Sequence, residues 1–221
     1  MLINVTAVFL PVKANNEDKE VDIYHNNKNA YMKIALTFDD GPHPRYTPQI
    51  LDILDEYNIK ATFFIVGVNA KNYPDTMEEV IKRGHEIGNH TYSHPHVSCL
   101  NSITLKDEVE KCESTVYGLT DYKTKLFRPP EGMIDADVRQ VLRSLDYKVI
   151  LWDIDTRDWA HVSPEEIAEN VTDNISSGDI ILMHDYIAYD SPTPEAMKIF
   201  IPKLLKKGYK FVVISELIGL G

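Results

Sequence analysis

KIALTFDDGPHPRYTPQILDILDEYNIKATFFIV, residues 33 to 66, holds the pattern that decides the fold. An apolar run, Lys33–Phe38, ends abruptly at Asp39-Asp40-Gly41-Pro42. An amphipathic stretch, Thr47–Tyr57, follows, and a second apolar run, Ala61–Val66, completes the unit. Short runs rich in β-branched and aromatic residues suit buried strands, and apolar residues spaced three and four apart suit a helix. Strand, polar turn, helix and strand in this order imply parallel strands joined by a helical crossover.

The same alternation continues to the end of the chain. Further strand candidates are Glu86–Asn89, Lys125–Arg128, Lys148–Asp153, Asp179–Met183 and Lys210–Ile214, which makes seven. Further helix candidates are Asp75–Arg83, Thr104–Tyr117, Ala136–Leu145, Pro164–Ser176 and Glu195–Lys207. Ser163-Pro164-Glu165-Glu166 places a cap residue before a proline and acids in the first turn. Lys82-Arg83-Gly84 and Lys206-Lys207-Gly208 place cations and then glycine at helix ends. An α/β barrel or a doubly wound sheet fits this count, and in both the chemistry sits at the C-terminal ends of the strands.

Upstream, residues 13–30 are polar and charged and read as an arm, so the catalytic domain is expected over 31–221. Ala7–Val12 is apolar, and it reads as the remnant of a signal or membrane anchor, or as a short strand. No run approaches the ~20 apolar residues needed to span a bilayer. The 221 residues carry a formal net charge of -11 and no basic run, which argues against nucleic acid and against anionic lipid. Two cysteines, Cys99 and Cys112, make no disulfide framework or CxxC site; buried thiols are expected, or one disulfide if the protein is exported.

Five strand ends carry polar clusters. Asp39-Asp40 are adjacent carboxylates, which repel each other and which strand geometry points apart. An Asp-rich turn before Gly-Pro is one reading; the other gives one carboxylate to a metal and leaves the other as a base. His90-Thr91-Tyr92-Ser93-His94-Pro95-His96 contains two histidines at i and i+4, able to reach one metal, or else forms a His-rich surface loop. One carboxylate with two imidazoles leaves coordination positions open and suits zinc, with cobalt or nickel as the other choices. His85 and His96 fall outside that spacing and read as structural or exposed. Arg128-Pro129-Pro130-Glu131-Gly132 sets an arginine beside a stiffened backbone. Trp152-Asp153-Ile154-Asp155-Thr156-Arg157-Asp158-Trp159 is dense in acids and aromatics. His184 follows an apolar strand, where a lone histidine is more often a core residue.

In this order the five clusters resemble the motifs of the polysaccharide deacetylase family, also called the NodB-homology family or carbohydrate esterase family four. The resemblance covers Met32 to Leu217 and implies a distorted seven-stranded (β/α) barrel. It implies that Asp39 is the general base and that Asp40, His90 and His94 bind one divalent metal. It implies that Thr91 steadies the histidine loop, that Arg128 orients Asp39, and that Asp158 pairs with His184, the general acid. Trp159 and Leu182 would enclose the acetyl methyl, and the backbone N–H of Glu131 would help hold the oxyanion. Tyrosine is common at this position in that family; the Glu131 carboxylate either favours a substrate carrying an amine or points to solvent. Tyr92, Trp159, Tyr186 and Tyr189 are candidates for stacking on sugar.

The expected activity is removal of N-acetyl groups from a polysaccharide containing N-acetylglucosamine, peptidoglycan or chitin-like, by a monomer at or outside the cell envelope. The rivals are an acetyl xylan esterase using the same site, a non-catalytic carbohydrate-binding relative, and a small-molecule amidase on a similar barrel.

Overall fold

A computed structural model describes residues 20–187 and 190–220. The strands are β1 (Ile23–Tyr24), β2 (Lys33–Asp39), β3 (Thr62–Ile65), β4 (Glu86–Asn89), β5 (Leu126–Phe127), β6 (Lys148–Ile150), β7 (Ile154–Asp155), β8 (Ile180–His184) and β9 (Lys210–Phe211). They form one sheet in the order β1-β6-β5-β4-β3-β2-β8-β7, with β9 beside the start of β2. Every strand pairing is parallel. The sheet curls, and the segment after β1 meets its other end through an antiparallel bridge from Asn26 to Asp179. The result is the distorted (β/α) barrel expected, with nine strands among the described residues rather than seven. The two additional strands, β1 and β7, are two residues each, too short to leave a periodic trace. Val21 is buried and β1 pairs with β6, so the end of the segment read as an arm packs on the barrel. The apolar run Ala7–Val12 lies outside the described residues.

The helices are α1 (Tyr46–Glu56), α2 (Gly67–Asn72), α3 (Pro74–Lys82), α4 (Ser102–Thr120), α5 (Ala136–Ser144), α6 (Pro164–Asn174), α7 (Thr193–Lys206) and α8 (Ile214–Ile218). Ser163 and Glu166 form a capping box at the start of α6. The central strands are buried on both sides, as parallel strands under helices must be. Ile34, Leu36 and Phe38 of β2 join Phe63, Ile65, Ile181 and Met183 beneath α1, α6 and α7. Residues of the opposite parity, Ala35, Phe64, Leu126, Ile150 and Ile180, fill the barrel interior with Ile214 and Leu217 of α8.

That parity places the site. Side chains alternate along a strand, so the interior rows continue as 35-37-39, 126-128 and 180-182-184. Gly88 lies on the interior row of β4, where an added Cβ would fall 2.2 Å from the Phe64 ring. The rows of β2, β5 and β8 are apolar or hydroxylic low in the barrel and end at the top in Asp39, Arg128 and His184.

Candidate active site at the top of the barrel

The strand-end loops enclose a cavity of about 450 Å³ lined by Asp39, Asp40, His90, His94, Glu131, Trp152, Asp155, Trp159, Leu182, His184 and Ile187. Several of its residues are held in a backbone conformation that L-residues rarely adopt. Asp40 (φ 75°), Thr91 (67°), His94 (57°) and Glu131 (57°) all lie in the left-handed region. Each costs of order 1 kcal/mol, which the surrounding packing must offset, and such strain concentrates at functional sites.

The two adjacent aspartates have different surroundings. Asp39 is buried, and its Oδ1 accepts a hydrogen bond from Arg128 Nη1 at 2.7 Å. Arg128 is fully buried, donates also to Thr37 Oγ1 and to the carbonyls of Ile150 and Leu151, and lies 4.1 Å over the Phe64 ring. Burial pulls the pKa of this guanidinium down against the pull of Asp39, yet an arginine this basic stays charged. Asp40 turns the other way. Its Oδ1 stands 3.2 Å from His94 Nε2 and 3.4 Å from His90 Nε2, with its own carbonyl accepting from Asn69 Nδ2.

The arrangement of Asp40, His90 and His94 fits a cation. His90 Nδ1 lies 2.7 Å from the Arg128 carbonyl, which can only accept, so this nitrogen carries the hydrogen. The Nε2 of the neutral ring then turns its lone pair toward Asp40. Asp40 Oδ1 is buried and has no hydrogen-bond donor. Lone pairs converging on a buried carboxylate oxygen are unfavourable unless a positive charge lies among them. One ligand atom from each of the three residues falls within 4.8 Å of the others. Two imidazoles and a carboxylate suit a borderline divalent metal and leave positions open. Burial favours the uncharged form of His90, but Asp39 and Asp40 outweigh it and raise its pKa. His94 is shifted down by its own burial. Burial raises Asp40, and the three histidines His90, His184 and His94 outweigh it, holding its pKa low.

Asn89 and Glu108 hold the histidine loop in place. Asn89 Oδ1 accepts from the Thr91 N–H, and its amide donates to the Val109 carbonyl. Thr91 Oγ1 donates to the His90 carbonyl and accepts from the His94 N–H. Glu108, on α4, accepts from the backbone N–H of Tyr92 and Ser93 and from the Ser93 hydroxyl.

Across the cavity, His184 Nδ1 lies 2.8 Å from Asp158 Oδ1. The other Asp158 oxygen accepts from the His184 N–H at 2.8 Å and from Thr193 Oγ1 at 2.6 Å. Burial pushes the His184 pKa down. The hydrogen bond and charge of Asp158, helped by Asp40 and Asp39, push it up further, to about 9. Trp159, 51% exposed, forms one wall in a short turn between two left-handed residues, Arg157 and His161. Leu182 forms the apolar floor.

Asp39, Asp40, His90, His94, Arg128, Asp158, His184, Trp159, Leu182, Glu131 and Thr91 thus surround or support one cavity. Tyr92 does not line it. Its backbone N–H is held by Glu108, and its ring lies against Gly67 and beneath Lys111 Nζ at 3.9 Å. Tyr186 meets the His43 ring edge-on instead of lining the cavity, and Tyr189 lies outside the described residues. His85 is buried and His96 exposed. Cys112 is a buried free thiol and Cys99 an exposed one.

Sequence reasoning passed over several contributors. Trp152 and Asp155 stood within a loop already marked as dense in acids and aromatics. Glu108 left no signal, because it lies mid-helix far along the chain from the loop it holds. Asp185 was hidden behind His184. It is fully buried, accepts from Thr47 Oγ1 at 2.6 Å, and sits where a Cβ on Gly41 would come within 2.1 Å of it. Burial raises its pKa to about 7, so it stands in the site as a carboxyl rather than as a full charge below neutrality.

Residues 26–150 match the model of the family described as polysaccharide deacetylase. The chain is 41% identical over 187 residues to a peptidoglycan-N-acetylglucosamine deacetylase of Bacillus cereus, covering 84% of this chain and 87% of that protein. It matches a solved peptidoglycan N-acetylglucosamine deacetylase, in complex with 4-naphthalen-1-yl-N-oxidanyl-benzamide, with TM-score 0.86 and 35% identity over 88% of this chain and 92% of that one. A family 4 acetyl xylan esterase from Clostridium thermocellum, in complex with a cobalt ion, matches with TM-score 0.78 and 32% identity over 85% and 91%.

Proposed function

The chain belongs to the polysaccharide deacetylase family, and from that premise we propose that it hydrolyses the N-acetyl groups of a polysaccharide containing N-acetylglucosamine, peptidoglycan or chitin-like, releasing acetate. One observation carries the reading: a carboxylate-and-two-histidine set flanked in a single cavity by an arginine-held carboxylate and a carboxylate-held histidine.

Asp40, His90 and His94 hold one divalent metal, zinc first and cobalt or nickel next. When bound, it supplies Lewis acidity toward the acetyl carbonyl and toward water. Asp39 is the general base. Arg128 fixes its Oδ1, so Oδ2, which faces His90 at 3.7 Å, receives the proton of the attacking water. The backbone N–H of Glu131 donates to the developing oxyanion. His184 is the general acid. An amine leaves only when protonated, and Asp158 keeps the His184 ring charged at neutral pH with Nδ1–H directed at its carboxylate. Trp159 and Leu182 receive the acetyl methyl and exclude water from that side.

We place the catalytic domain on the barrel, acting as a monomer at the cell envelope, because two of the relatives above are named for peptidoglycan. No helix among the described residues is long and apolar enough to cross a membrane. The likeness to an acetyl xylan esterase favours one second reading, cleavage of O-acetyl esters by the same groups. Acetate release from chitooligosaccharides, peptidoglycan and acetylated xylan, with defined metals added, tests both. Release from the two amino-sugar polymers supports the reading, and release from xylan alone overturns it.

A further inference from the structure

Four carboxylates line the cavity, and two of them are not taken up by the chemistry proposed above. Asp39 is offset by Arg128, and Asp40 faces two histidines. Asp155 accepts the backbone N–H of Arg157, at 2.9 Å. Glu131 meets an imidazole, with its Oε1 3.0 Å from His96 Nδ1. Its side chain is 52% exposed, so it stands at the mouth of the cavity rather than in its depth. Its backbone is fixed on both sides. Pro129 and Pro130 precede it, its φ is 57°, and Gly132 after it packs where a Cβ would lie 2.9 Å from the Trp152 ring. The carboxylate is therefore presented over the cavity by a rigid segment. The whole chain carries a formal net charge of -11, which favours the approach of cationic over anionic chains.

Resting on the deacetylase reading, we propose that Glu131, with Asp155 lining the same cavity, is a specificity determinant that favours chains bearing a free amine on the sugar beside the acetamide to be cleaved, and disfavours chains bearing a carboxylate there. A protonated amine on the neighbouring sugar meets the Glu131 carboxylate at the rim, and a carboxylate substituent meets like charge. Each cleavage creates one amine, so the product of a first cut becomes the better substrate for a second. Deacetylation then spreads along a chain in blocks. The contact is solvent-exposed, so its effect is modest and falls with added salt.

The test uses three chitooligosaccharides of equal length: one fully N-acetylated, one with a single free amine beside the target sugar, and one with that amine N-succinylated to carry a carboxylate. kcat/KM for acetate release is measured with metal-loaded wild type, Glu131→Gln and Glu131→Tyr, at low and high ionic strength. The amine-bearing chain is expected to exceed the fully acetylated one by roughly two- to fivefold at low salt, the size of an exposed ion pair. The succinylated chain is expected to fall below both. In Glu131→Gln and Glu131→Tyr the ratios move toward one, and high salt does the same to wild type without any substitution. Equal rates on the three chains, or ratios unchanged in both variants, overturn the proposal. Absence of acetate from every chain overturns this preference, and absence from peptidoglycan assayed beside them overturns the deacetylase reading as well.

Discussion

The barrel interior contains two polar clusters, one at each end, and they are built on opposite rules. At the bottom, Glu86 and Thr62 face each other from adjacent strands. Thr62 Oγ1 donates to Glu86 Oε2 at 2.7 Å and accepts from the Ile214 N–H at 3.0 Å. The Ser215 N–H reaches both Glu86 oxygens, at 3.2 and 3.3 Å. The polar groups named here are satisfied by their neighbours, and the cluster does nothing but seat α8 beneath the barrel. At the top, Asp40, Thr91, His94 and Glu131 carry positive φ, and Asp40 Oδ1 is buried with no donor. Buried polar groups are closed by the protein where they serve the fold. An unsatisfied group with strained neighbours marks the end where a ligand completes the set.

The comparison breaks if substitutions at the two ends act alike. The largest effect is expected from Asp39→Asn. It should lose about 10²–10⁴-fold in kcat/KM, the usual worth of a general base, while keeping metal content and melting temperature near wild type. Near-wild-type rates in that variant would move the base elsewhere. Glu86→Ala should show the reverse. Leaving the Thr62 hydroxyl and the Ser215 N–H without their acceptor costs about 1–3 kcal/mol of stability, read by denaturant unfolding, while kcat/KM per folded molecule stays close to wild type. Loss of activity at unchanged stability would contradict the division between the two ends.

His184 sharpens the comparison, because it is a top residue whose partner is closed like those at the bottom. Its folded pKa of about 9 is above the 6.5 of the free side chain. A raised pKa means that the pair stabilises the fold fully below about 6.5, and that this contribution fades as pH rises through about 9. Removing the anion in Asp158→Asn leaves burial, which lowers the pKa. The alkaline limb of kcat/KM should therefore move to lower pH, and the loss should be greater near pH 8 than near pH 6. A limb that stays in place or moves upward would remove Asp158 as the partner. The smallest effect is expected in the loop that joins fold and site. Glu108→Gln keeps an acceptor but not the charge, so the weakened hold on Tyr92 and Ser93 should lower metal affinity by less than the ~10–100-fold that loss of a group directly behind a metal ligand costs. Isothermal titration with zinc would read it, and unchanged affinity would show that the loop holds itself.

How much of this could be read in the sequence follows from the range of the interactions. The long alternation of apolar runs and amphipathic stretches gave seven strands, and the parallel barrel they form is the one observed. β1 and β7 were not legible, because two residues have no period. At the site, Asp39, Asp40, His90, His94, Arg128 and His184 were visible because each closes a strand with a residue type that a core would reject. Which aspartate turns inward was carried only by the family resemblance. In the structure the parity of β2 sends Asp39 to Arg128 and the left-handed turn sends Asp40 to the histidines. Glu108, Thr193 and Asp185 stayed hidden because they act on the site through hydrogen bonds across the fold, which leave no spacing in the chain. Tyr92 was read as a sugar contact because it sits between two ligand candidates; packing against Gly67 takes its ring elsewhere.

The central claim is that Asp40, His90 and His94 together hold one catalytic metal. The most direct measurement is the metal content of the purified protein and of His94→Ala after equilibration with limiting zinc, with acetate release assayed on the same samples. The account predicts about one equivalent bound and active in the wild type, with binding and turnover both lost in the variant while it remains folded. Full occupancy in His94→Ala, or acetate release from metal-free wild type at the loaded rate, would contradict it.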